Sequence, residues 1–113
     1  MLNRRIGLLL TLALWALSMV VQAQGMVTIL SPEEGARRSA LDENQITYRV
    51  VPGPRGDHVH LYDNGHEIAV IRHLEGSYPL SAVGMGAREV CIKVVNRAHV
   101  PIGIEGCVNI VVE

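Results

Sequence analysis

Phenylalanine is missing from this 113-residue chain, and its single tryptophan, Trp15, falls in the first 23 residues. For aromatic packing there remain three tyrosines, Tyr48, Tyr62 and Tyr78, so an interior must be assembled from Val, Ile, Leu and Ala. Those side chains suit a pleated sheet and leave a small domain little burial to spare. An excess of either charge is missing as well, with ten Lys and Arg against eleven Asp and Glu. Without a basic stripe or charge block, nucleic acid is excluded as a partner class. No Gly-x-Ser-x-Gly, Gly-rich phosphate loop or His-Glu-x-x-His occurs, and Asp57, Asp63 and Glu67 have no evident cleft in which to act as a catalytic pair. No catalytic residues are assigned.

What is present begins with a leader. Arg4 and Arg5 precede an apolar stretch from Ile6 to Val21, and Val21-Gln22-Ala23 offers the small-residue pattern of a cleavage site. The stretch is short for a membrane span of about 20 residues. Residues 1–23 therefore read as a signal peptide and residues 24–113 as one domain, periplasmic or secreted, with no membrane anchor after cleavage. Loss of Arg4 and Arg5 leaves eight Lys and Arg against eleven Asp and Glu, a formal charge of −3. The only two cysteines, Cys91 and Cys107, are not in a Cys-x-x-Cys. In an oxidising compartment they read as a structural disulfide.

The domain reads as about seven short strands separated by turn signals, without a convincing amphipathic helix. They are Met26–Leu30, Gln45–Val51, a stretch from His58 through Tyr62, His66–Arg72, an edge strand Gly76–Leu80 containing Pro79, Arg88–Val95 and Glu105–Val112. Residues 33–44 read as a polar loop. This pattern predicts an all-β fold, an antiparallel Ig-like β-sandwich. With Cys91 opposite Cys107, Val90 meets Val108 and Val94 meets Ile104, which puts the valines and isoleucines on one face and the sulfurs on the other. The expected apolar face comprises Val27, Ile29, Ile46, Tyr48, Val50, Val59, Leu61, Ile68, Val70, Val90, Ile92, Val94, Val108, Ile110 and Val112.

Tyr78-Pro79-Leu80, then Gly86-Ala87-Arg88-Glu89-Val90-Cys91-Ile92-Lys93-Val94-Val95-Asn96 and a terminal strand, resemble the last three strands of immunoglobulin-like or fibronectin type III-like modules of bacterial envelope proteins. The resemblance covers most of residues 26–113 and implies architecture more than activity. The third strand has no tryptophan, and the cysteines join neighbouring strands, so it does not extend to antibody-type domains.

The histidines carry the chemistry. His58 and His60 alternate with Val59 and Leu61, so both imidazoles leave one face of a strand and can reach one ion. Asn64-Gly65 is a type I′ turn pair; it sets His58 opposite Ile71, with His73 just beyond at the same outward parity. His99 sits at the tip of the last hairpin. Four of the five histidines thus gather at one pole, with His66 at the other. The expected site is a surface cluster of His58 and His60, with His99 or His73, taking copper or zinc. Ligation requires neutral imidazole, so affinity should fade below about pH 6.5. Otherwise these are solvent-facing histidines hydrogen-bonded to Asp57 or Asp63.

Gly56-Asp57-His58-Val59-His60 also resembles the copper-ligating His-Val-His of copper/zinc superoxide dismutases. That resemblance implies copper ligands at His58 and His60, a bridging histidine near His73 and a last copper ligand at His99. The zinc-loop ligands have no counterparts after His73, and an active-site arginine is not identifiable, so the spacing reads as convergent. A different class of function uses the same pole. Pro52-Gly53-Pro54-Arg55-Gly56 and Asn96–Pro101, with Arg55, Arg72 and Arg97, could contact an envelope protein or a glycan.

Overall fold

The computed structural model describes residues 24–113; the expected leader, residues 1–23, lies outside them. Eight strands follow in order: β1 (Met26–Ser31), β2 (Ala36–Arg38), β3 (Gln45–Val51), β4 (His58–Asp63), β5 (His66–Ile71), β6 (Glu75–Pro79), β7 (Gly86–Val95) and β8 (Pro101–Val112). They form two sheets, β1-β3-β6 and β2-β8-β7-β4-β5. Among the described residues no helix is long and apolar enough to cross a membrane.

The inner faces supply the core, in which Ile46, Tyr48, Val50, Val59, Leu61, Val90, Ile92, Val94, Val108 and Ile110 are buried. Tyr48 is the largest of them, and its hydroxyl donates to the His73 carbonyl oxygen at 2.8 Å, which satisfies its polar end. Val27, Ile29 and Ile68 are only partly buried against this cluster.

Three details depart from the sequence reading. The polar loop contains β2, which pairs in parallel with β8, Ala36 opposite Ile110 and Arg38 opposite Val112. This short strand covers the edge of β8 with two exposed arginines, a common way of keeping an edge from pairing with other chains. The β7–β8 register follows the cysteines from Val90–Val108 to Lys93–Glu105, then shifts, so that Val95 meets Pro101. The expected Val94–Ile104 pairing falls inside that irregularity.

The third departure matters most. β4 and β5 leave their turn in the expected register, Asp63 opposite His66 and Tyr62 opposite Glu67. Asn64 and Gly65 have φ of 47° and 83°, as a type I′ turn needs. A bulge at Ile68 then shifts the ladder by one residue, so Leu61 meets Ala69, His60 meets Val70 and Val59 meets Ile71. Every residue beyond the bulge exchanges faces. Ile71 enters the core and Val70, expected inside, is 44% exposed. His58 is not opposite Ile71, and His73 loses the outward parity assigned to it.

Candidate metal centre

β4 is the centre of the site because both of its faces are buried. Val59 and Leu61 point into the sandwich, while His58 and His60 leave the other face, each only 1% exposed. Their face is the expected one; their exposure is not. Along the same outer face His60 stands opposite Lys93, and Tyr62 opposite Cys91 and under the Lys93 ammonium, 4.5 Å from the ring centre. The Cys91–Cys107 disulfide lies at that level, with Cα atoms 4.0 Å apart.

His99 comes from the β7–β8 turn and is itself exposed. The turn is fixed locally: the His99 amide donates to the Asn96 carbonyl at 2.9 Å, and the Asn96 side-chain oxygen accepts from the Ala98 and Val100 amides at 2.9 and 3.0 Å. His99 then takes a φ of +64°, in the left-handed region where glycine or asparagine is usual. This conformation brings its ring against both strand histidines, with ring centres 4.5 Å from His58 and 5.2 Å from His60.

Three nitrogens converge there. His58 Nε2 and His60 Nε2 are 3.1 Å apart, and His99 Nδ1 is 3.1 Å from the first and 3.0 Å from the second. The outer nitrogens face carboxylates. Asp57 Oδ2 lies 2.8 Å from His58 Nδ1, and its amide is held by the Val95 carbonyl at 2.8 Å. The residue before it must be glycine, because a Cβ on Gly56 would collide with the Pro52 carbonyl and the Val94 side chain. The hydrogen bond from His58, then the nearby charges of Arg72 and Arg97, hold the Asp57 carboxyl below its usual range against the opposing effect of burial. Ionised, Asp57 can only accept, so the proton of neutral His58 sits on Nδ1 and its Nε2 presents a lone pair.

Glu67 Oε1 is 2.6 Å from His60 Nδ1. The contact lies off the ring N–H direction, and His60 Nδ1 is otherwise buried without a hydrogen-bond partner. A carboxylate so close favours a proton on the facing Nδ1. With both protons on Nδ1, the two Nε2 atoms would present lone pairs toward the same point, 3.1 Å apart. Imidazoles backed by carboxylates are the usual outer layer of a metal site.

The other sequence candidates fall elsewhere. His73, beyond the bulge, stacks on Tyr48 with ring centres 6.0 Å apart and does not join the cluster. Arg72 takes the outward place instead, its Nη1 3.6 Å from Asp57 Oδ2, and Arg97 Nε approaches Asp57 Oδ1 at 3.8 Å. Asp63 serves the far end of β4, accepting from Arg88 Nε and Nη2 at 2.8 Å each and from the Gly84 amide at 3.0 Å. His66 is exposed at that same end. Glu67 is the participant the sequence reading missed, and only the strand register could have revealed it. The grouping of Glu89 with Cys91 and Cys107 is no second centre, since both sulfurs are in the disulfide.

No family model matches the chain, and no curated protein does. Among solved structures it is similar to the fibronectin(III)-like modules of Clostridium thermocellum CbhA, with a TM-score of 0.63 and 19% identity over 78% of this chain and 97% of that one. An engineered protein solved at 1.98 Å is similar over 82% of this chain and 21% of its own length, with a TM-score of 0.55 and 19% identity. The fold is that of a fibronectin type III-like β-sandwich, as the order of the last strands suggested.

Proposed function

We propose that this is an exported fibronectin type III-like module that binds one transition-metal ion, copper or zinc, through His58 Nε2, His60 Nε2 and His99 Nδ1. The observation that carries the reading is the convergence of three imidazole nitrogens within 3.1 Å while Asp57 and Glu67 face the outer nitrogens of two of the rings. A surface histidine needs neither burial nor a carboxylate behind it. Three nitrogen donors suit zinc and both oxidation states of copper. The disulfide supports export to the periplasm or beyond, since such bonds persist in oxidising compartments.

The superoxide dismutase reading has less support, because His73 stands apart from the other three and a bridging role has no counterpart. Recognition of an envelope protein or a glycan through the same pole is the competing account. Metal content discriminates between them. Protein expressed with its leader should carry close to one equivalent of copper or zinc, or take it up on titration. The His58→Ala/His60→Ala variant should lose stoichiometric binding, while His66→Ala and His73→Ala retain it. Equal binding by the double variant and the parent would sink the proposal.

A further inference from the structure

Resting on that reading, the geometry points to a metal site with an exchangeable coordination position that takes a small anion, because Arg72 and Arg97 offset the carboxylates behind the rings and leave the ion's own charge uncompensated. The triangle of nitrogens sets the coordination. With metal–nitrogen bonds of about 2.0–2.1 Å, tetrahedral ligands stand about 3.3 Å apart, cis ligands of a square or octahedral site about 2.9 Å, and trans ligands about 4 Å. The three edges here are 3.0–3.1 Å. No edge is long enough to be a trans pair, so the three histidines would occupy one face of an ion's coordination sphere. Among the described residues no further His, Cys, Asp or Glu joins the group. Three protein ligands plus an exchangeable one is the arrangement of reactive rather than purely structural zinc sites.

Charge determines what enters that position. Asp57 and Glu67 behind the rings are matched by Arg72 and Arg97, whose guanidinium nitrogens lie 3.6 and 3.8 Å from Asp57. Lys93, opposite His60, is paired with Glu105 at 4.0 Å. The surroundings are therefore close to neutral before an ion binds, and a divalent ion on three neutral imidazoles leaves two positive charges uncompensated. A shallow hollow of about 580 Å³, lined in part by Arg55, Asp57 and Arg97, opens beside the ligand-bearing segments. His58 and His60 are buried and His99 is exposed, so the cluster meets the surface on the His99 side. A neutral ligand would gain nothing from this field; a monoanion would.

The test uses cobalt(II), whose visible bands report coordination number, with azide as the anion. Cobalt uptake is first measured by dialysis and metal analysis. The loaded protein should show intense four-coordinate bands that shift saturably with azide. The Arg72→Ala/Arg97→Ala variant, measured with cobalt in saturating excess, should bind azide several-fold more weakly. Bands indifferent to azide in protein shown to hold cobalt would overturn this inference and leave the metal site standing. Equal azide affinity in the arginine variant would overturn the role given to the guanidiniums. Failure to take up cobalt, copper or zinc would remove both the metal site and the inference resting on it.

Discussion

At the scale of single residues, His99 occupies a position in the turn where glycine costs least, and its side chain is what the proposed metal site requires. His99→Gly therefore separates the two roles. The metal-free variant should melt at or slightly above the parent temperature, because the left-handed φ is relieved, while copper and zinc affinity falls sharply. A large loss of metal-free stability would show instead that the ring is there for packing. Asp57→Asn tests the layer behind the ligands. Asparagine can present its amide nitrogen to His58 Nδ1 and no longer enforces one tautomer, so affinity should fall by about 10–100-fold with the fold intact. Competition with a chromophoric chelator measures both.

At the scale of elements, β4 was legible because apolar and polar residues interleave along it, and the pairing of β7 with β8 because Cys91 and Cys107 set its register. The bulge in β5 was not. Ile68-Ala69-Val70-Ile71 is apolar throughout, so both possible registers satisfy the pattern and nothing in the run says which side chain faces inward. That ambiguity alone misplaced Val70 and His73. Burial of His58 and His60 was also out of reach, since it depends on a turn 39–41 residues away folding against them. β2 was invisible because three residues with two arginines show no period. The disulfide belongs to this scale too. It joins strands already paired, across a loop of about 15 residues, so reduction should cost about 3 kcal/mol and lower the melting temperature. Metal stoichiometry measured on reduced, still folded protein should be unchanged.

At the scale of the whole molecule, β4 is tied down at both ends, by Asp57 near the histidine cluster and by Asp63 at the other. The hydrogen bonds from Arg88, then that from the Gly84 amide, hold the Asp63 carboxyl below its ordinary range, despite burial acting the other way. A depressed folded-state value means the unfolded chain takes up the proton first as pH falls. The contribution is therefore complete above the unfolded value of about 3.9 and is lost as pH falls through the lower, folded one. Asp63→Asn should be less stable at neutral pH, with a shallower loss below about pH 4. Urea unfolding from pH 7 to pH 3 would show both effects. An Asn variant with the parent's acid limb would assign that limb to other carboxylates.

The proposed ligands are unevenly spread along the chain. His58 and His60 are two residues apart, but His99 is 39 residues from His60 and joins it only through the β7–β8 turn. An extended polymer of the same sequence offers an ion a weak two-point grip, and the third point requires the long segment between them to close first. On the proposed function, the free energy released by capture would be reserved for chains whose distant ends have already met, and the ion would report completed topology. Refolding rates should depend little on metal, whereas unfolding should slow as its concentration rises.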